Sequence, residues 1–258
     1  MSRGRRWGLW TAALAAYAFL YLPLVLVVVY SFNDSRIGAQ WVGFSLRWYQ
    51  ALLHDEDMVR AAYHSLVIAL SVSAISTVLG TMAGVAMHRY RVRLLSFLVL
   101  TPLAVPDILT GVSLLLLFVL VHLTLGMASV VLAHVSFCIS FVAIVVRSSL
   151  AGMDPQLAEA ARDLGATPWQ AFRRIVLPLI APGILAGALL AFTLSIDDFV
   201  ITFFTAGAGT STLPLEIYSM IKVAVTPEVN AVSTLLLLVS LTLFAAASRL
   251  APSMLRQR

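Results

Sequence analysis

Three carboxylates, Asp107, Asp197 and Asp198, stand in stretches whose composition otherwise suits hydrocarbon. An acid at that depth costs several kcal/mol unless it is paired or meets water, so such residues mark ion or substrate paths by default. On a continuous helix rising ~1.5 Å per residue, Asp107 lies 13 residues, or roughly 20 Å, beyond Leu94. Asp197 and Asp198 lie 18 and 19 residues, roughly 27 Å, beyond Leu179. All three then fall in the outer half of a hydrocarbon layer about 30 Å thick. Neighbouring side chains on a helix diverge by about 100°, so at most one of Asp197 and Asp198 can point straight into a path. The other is free to cap or bond a neighbouring helix end. Thr193 and Asp197 are i, i+4 neighbours, as are Ser195 and Phe199. Asp107 follows Pro106 and precedes Thr110 and Gly111, which equally suits a cap on a restarting helix. Carboxylates bind organic cations by charge-assisted hydrogen bonds, and aromatic faces add cation–π attraction. Trp41, Trp48 and Tyr49 supply such faces, or else an interfacial aromatic belt.

Other chemistries find little support. Cys138 is the lone cysteine, which excludes an internal disulfide and a thiolate cluster. The five histidines, His54, His64, His88, His122 and His134, show no i, i+4 pairing of the kind that binds metal on a helix; singly they read as satisfied polar or interface residues. Lys222 is the only lysine, and it stands between Ile221 and Val223, so no phosphate-cradling Gly-Lys-Ser/Thr loop exists. The residues therefore call for no metal and no cofactor, and the chain is not expected to hydrolyse ATP itself. The net charge of +5 and pI near 9.8 come from arginines scattered between apolar runs, not from one basic face, which argues against nucleic-acid binding.

The elements that must carry these residues follow from composition. Of 258 residues, 60% are hydrophobic and only 11% charged, with mean hydropathy +0.96; an average soluble domain has about 25% charged. This predicts an all-α polytopic membrane protein. Six runs are long enough to span, at about 9–30, 63–87, 94–123, 127–146, 179–205 and 229–250. The third contains Pro102 and Pro106 and is expected to be bent or interrupted. The first follows Arg3, Arg5 and Arg6 like a secretory signal, yet its apolar run is too long for one and reads as a retained helix. One set of connecting segments holds Arg3, Arg5, Arg6, Arg89, Arg91, Arg93, Arg147, Arg162, Arg173, Arg174, Arg249, Arg256 and Arg258, the other only Arg36, Arg47, Arg60 and Lys222. Thirteen against four places both termini in the cytoplasm. Nine of the twelve acids then lie in outer loops or outer span halves, a negative potential for an arriving cation. Without linkers or low-complexity tracts, residues 1–258 read as one membrane domain, with 147–178 its long inner loop.

In that loop Asp154 and Pro155 form an N-cap and first-turn pair, Gly165 can close the helix, and Thr167-Pro168 start another. Leu157, Ala161 and Leu164 make one apolar stripe, and Trp169, Phe172 and Val176 a second. Such a hairpin needs a docking surface, either a protein or the headgroups. Glu159-Ala160-Ala161, three residues, Gly165, nine residues, then Ile175-Val176-Leu177-Pro178 resembles the EAA motif of membrane subunits of binding-protein-dependent ABC importers, every fixed position being present. The resemblance implies the MetI-like permease fold and an ATPase-coupling role for Glu159, Ala160, Ala161 and Gly165.

Further segments, among them Leu46-Arg47-Trp48-Tyr49, Pro106-Asp107-Ile108, Phe192 to Asp198, Leu213-Pro214-Leu215 and Thr226 to Ala231, resemble the permeases of spermidine/putrescine importers, PotC-like or the closely similar PotI-like. This implies a polyamine pathway touching Trp48, Asp107, Ser195, Asp197 and Asp198. It also implies a second, PotB-like permease completing the pathway, two copies of a PotA-like cytoplasmic ATPase, and a PotD-like extracytoplasmic polyamine-binding protein, all around a bacterial inner membrane. Glu216 departs from the basic or neutral residue expected there, which leaves its role open. An importer for another organic solute and an ion-driven secondary transporter are the rival readings; the second usually shows internal repeats, and none is evident.

Overall fold

The computed structural model describes residues 3–35, 40–90, 92–154, 156–223 and 226–250. In chain order the helices are α1 (Arg3–Tyr30), α2 (Arg47–His54), α3 (Glu56–Tyr90), α4 (Arg93–Leu100), α5 (Asp107–Leu120), α6 (Met127–Ala151), α7 (Gln156–Asp163), α8 (Pro168–Ala171), α9 (Leu177–Ile196), α10 (Val200–Thr205), α11 (Leu213–Val223) and α12 (Pro227–Leu250). Among the described residues the only extended pairing is an isolated antiparallel bridge between Asn33 and Phe44. The all-α expectation is met. Arg36, Arg91, Pro155, Arg256 and Arg258, used above for charge and capping, lie outside the described residues.

Contacts divide the chain into two units, Met1–Val59 with Glu216–Leu238, and Arg60–Leu215 with Val239–Arg258. In the first, α1 carries an apolar stretch, Leu9–Tyr30, of mean hydropathy 2.4. The turn after it is organised by Asn33, which is fully buried. Its Nδ2 donates to the Gln40 carbonyl at 2.7 Å and its Oδ1 accepts from the Val42 amide at 2.9 Å. Phe32 stacks on Phe44, and the Ser31 and Tyr49 hydroxyls meet at 2.7 Å. Asp55 caps α3 by accepting from the amides of Asp57 and Met58 at 2.9 and 3.1 Å.

The second unit is built on α6. Hydrophobic burial gives no drive between helices in lipid, so small residues that permit close packing decide the pairing. On α9 every fourth residue of one stripe is small, and each meets α6. Gly183 lies against Ser149 and Gly187 against Val142. The Cys138 thiol donates to the Ala191 carbonyl, and Ser195 faces His134. On α3 a second pair of glycines works alike: a Cβ on Gly80 would fall 2.6 Å from Val142 Cβ, and one on Gly84 2.8 Å from the Ala143 carbonyl oxygen. Ile68, Val72, Val142, Val146 and Ile180 fill the core between these seams. Ser73 Oγ donates to the Ala188 carbonyl at 2.7 Å, tying α3 to α9.

The expected interruption of the third span is present: the segment Arg93–Ala104 and α5 meet at 109°. Val105, held extended by the proline after it, and Pro106 make the corner. The fifth run differs from expectation. Instead of one helix over 179–205, a continuous apolar helix runs Pro168–Ile196 through a π-helical turn at Phe172–Val176, stops at the acids, and restarts as α10. The cause is local, because the Asp198 carboxylate offers the amide of Thr202 an alternative to the continuing helical ladder. Beyond the two breaks, α5 and α10 pack together, with Phe204 filling the space a side chain on Gly111 would take. Among the described residues four helices are long and apolar enough to cross a membrane, five if the bent pair is one span, and α12 adds a shorter apolar stretch, Pro227–Leu243.

Gly84→Val forces a methyl against the Ala143 carbonyl, a backbone atom that cannot move aside. It should cost about 1–3 kcal/mol, whereas Gly43→Ala, with nothing within 4 Å, should be silent. Thermal unfolding of the purified chain in detergent distinguishes the two.

Candidate functional site

At the break after α9 the paired acids turn to different partners. The Asp197 amide still donates to the Thr193 carbonyl, closing the last turn, while its exposed carboxylate accepts from Ser240 Oγ on α12, which lies 2.9 Å from both oxygens. Asp198 turns inward. Its Oδ2 accepts from the Thr202 amide at 2.8 Å and the Thr202 hydroxyl at 2.9 Å, and lies 3.2 Å from His134 Nε2. The imidazole also places Nδ1 2.8 Å from Ser195 Oγ and Nε2 2.9 Å from Thr202 Oγ1. His134 is 1% exposed and the Asp198 side chain 11%. Ser195 and Asp198 are thus brought together through His134, a residue read from the sequence only as a satisfied polar group. No spacing signal could single it out, since its partners are 61 and 68 residues away.

Asp107 opens α5 behind Pro106, exposed and without a capping bond; the Thr110 hydroxyl donates instead to the Pro106 carbonyl at 3.3 Å. Its charge sits at the positive end of a helix dipole. Trp48 belongs to the first unit. Its indole N–H donates to the Asn33 carbonyl at 2.9 Å, and the Arg47 guanidinium lies 4.5 Å from its ring centroid while pairing with Asp34 at 3.2 Å. Its ring already holds a cation belonging to the protein. Glu216 accepts from the Ser219 hydroxyl through its side chain and its carbonyl.

The hairpin is closed at each point its residues predict. Asp154 Oδ1 accepts from the Gln156 amide at 2.9 Å. At the end of α7 the Gly165 amide donates to the Arg162 carbonyl and the Ala166 amide to the Ala161 carbonyl, the Schellman pattern, with Gly165 at φ 88°. Thr167 and Gln170 then form a reciprocal capping box. Leu164 is 90% exposed and Trp169 66%, the latter stacked on Phe172. Glu159 and Arg162 line a cleft of about 580 Å³ with His88 and Arg89 at the end of α3. Ala160, Ala161 and Gly165 line a separate groove of about 500 Å³.

Residues 76–256 match the family described as binding-protein-dependent transport system inner membrane component. The chain is 43% identical over 240 residues to the spermidine/putrescine transport system permease protein PotC of Escherichia coli strain K12, covering 92% of this chain and 91% of the relative. It is 45% identical over 234 residues to the putrescine transport system permease protein PotI of the same strain, covering 87% and 83%. Among solved structures, a chain of a bacterial ABC transporter that imports the acidic polysaccharide alginate has the same fold, with TM-score 0.70 at 17% identity over 97% of this chain and 96% of that one.

The two acids should separate in a stability measurement. Removing Asp198 leaves the buried Thr202 amide without its acceptor and takes one of two partners from His134 Nε2, so Asp198→Ala should cost about 1–3 kcal/mol. Asp197→Ala, at an exposed position, should stay within about 0.5 kcal/mol. Thermal unfolding of the two variants provides the comparison.

Proposed function

Since the chain belongs to the family of binding-protein-dependent transport system inner membrane components, we propose that it is the permease subunit that forms half of the pathway of an ATP-driven polyamine importer. As a member of that family it is a multi-pass inner-membrane transport subunit and not an enzyme, the ATPase residing on a partner chain. Relatives at 43% and 45% identity named for spermidine/putrescine and putrescine transport support the substrate class. The observation that carries the reading is the Asp197 carboxylate, left exposed where the long apolar helix Pro168–Ile196 stops. An exposed carboxylate whose side-chain partner, the Ser240 hydroxyl, is neutral suits a cation and repels an anion.

The whole chain acts as one permease domain. It crosses the bilayer six times, counting the bent pair α4–α5 and the shorter apolar stretch of α12 each as a span, with both termini in the cytoplasm, a topology supported by the Lys/Arg asymmetry of thirteen against four. Asp107 and Asp197 meet the ammonium groups of the substrate; Trp48, Ser195 and Asp198 shape the path. A PotB-like second permease completes it, a PotD-like binding protein delivers the polyamine, and two PotA-like ATPases drive it. The loop 147–178 is the coupling element: Ala160 and Ala161 leave room for the ATPase to approach, Glu159 supplies a charge, and Gly165 sets the turn. ATP binding favours the ATPase arrangement that carries this hairpin and opens the spans outward; hydrolysis restores the inward state, a population shift set by the nucleotide's differential affinity for the two.

Radiolabelled spermidine and putrescine uptake, in cells lacking polyamine importers but supplied with the partner subunits, tests the reading. Uptake should require this chain. Glu159→Lys should abolish it while the subunit still inserts, and normal transport by that variant would remove the coupling role. Asp197→Asn should raise the half-saturating concentration roughly tenfold with assembly unchanged; an unchanged concentration dependence would take Asp197 out of the path.

A further inference from the structure

We propose that His134 is a positioning residue of the translocation pathway: its imidazole clamps the two halves of the broken helix α9–α10, holding Ser195 and Asp198 inward and leaving Asp197 as the acid of this segment presented to a cationic substrate. The proposal rests on the importer reading and deepens it. One ring from a third helix reaches both sides of the interruption, with Nδ1 on Ser195 in the last turn of α9 and Nε2 on Asp198 and on Thr202 in α10. An ionised carboxylate only accepts, so Nε2 carries the proton toward Asp198 and Nδ1 accepts from the Ser195 hydroxyl. Every polar atom of the ring is then used, at 1% exposure. The order Ser195–His134–Asp198 matches that of a hydrolytic relay. Here, however, Ser195 is 5% exposed and fixed on the packed α6–α9 seam, so the arrangement holds backbone in place and performs no covalent chemistry.

The packing gives the clamp its purpose. Ile201 of α10 is buried against Phe118 of α5 and Ala133 of α6, next to His134 in sequence. Releasing the imidazole frees α10 from the break and changes where the backbone directs Asp197. Asp197 has its own tether, Ser240, so its two neighbours along the chain and across to α12 fix one direction for the carboxylate.

Two variants separate clamping from mere filling of space. The carboxamide of glutamine reaches as far as Nε2 and can donate to Asp198; leucine fills the volume without a donor. In the assembled importer, His134→Leu should raise the half-saturating polyamine concentration roughly tenfold, as loss of a hydrogen bond to a buried charge predicts, whereas His134→Gln should stay near the parent value. Should the leucine chain not assemble, His134→Asn replaces it, since that carboxamide reaches only the position of Nδ1. A readout independent of the substrate uses Ile201→Cys in a chain whose other cysteine, Cys138, is buried. A membrane-impermeant maleimide should label position 201 with leucine at 134 and leave it unlabelled with histidine or glutamine. Equal behaviour of the leucine and glutamine variants in uptake and labelling overturns the clamp while parent uptake upholds the importer reading. An assembled parent complex that takes up neither polyamine, with labelling confined to the leucine variant, overturns the substrate reading and leaves the clamp standing.

Discussion

A backbone that leaves its helix among apolar spans must find hydrogen-bond partners inside the protein, because lipid offers none. The region around Asp197 and Asp198 is organised by that requirement. Asp198 answers the amide of Thr202, His134 answers Asp198, and Ser195 completes the ring. Each needs α6 to stand close to α9, and the stripe Gly183, Gly187, Ala191 and Ser195 permits it. A residue with a larger side chain at Gly187 would push α9 off Val142 and lengthen the bonds two turns away. The polar cluster and the glycine seam are therefore one structure, the first impossible without the second.

The two interruptions reach the same end by different chemistry. At Pro106 the ring excludes the preceding residue from helical backbone and removes a donor, so the corner needs no side-chain partner. At Asp198 the break is made by competition, a carboxylate taking an amide from the helical ladder, and it needs buried partners to persist. The half-helices beyond, α5 and α10, pack on one another through Gly111 and Phe204, so a movement at either break is felt at the other.

Much of this was legible in the sequence, for physical reasons that can be named. Caps and turns are short-range, so Asp154, Gly165 and Thr167 announced the hairpin and its closure. Prolines act on their immediate neighbours, so the bend of the third run was foreseen. The stop at Ile196 was not, since the residues after the acids, Phe199 to Phe204, look as apolar as those before them. His134 was invisible as a partner because its bonds cross from one helix to another, where only packing brings the residues together. The expected divergence of Asp197 from Asp198 rested on one continuous helix; in the structure the two diverge because the helix stops at Ile196, and Asp198 turns inward onto the imidazole.

The hairpin carries a consequence of its own. Leu164 stands almost bare and Trp169 largely exposed on a loop whose turns are closed by its own caps. Such a patch is adhesive, and it stays so until something covers it. A copy without the proposed ATPase on its hairpin would be marked by that same surface as unfinished, open to proteases and to aggregation, whereas a seated copy would hide it. The hairpin proposed to couple the subunit to its ATPase would then also keep the two in matched amounts, by making the surplus short-lived.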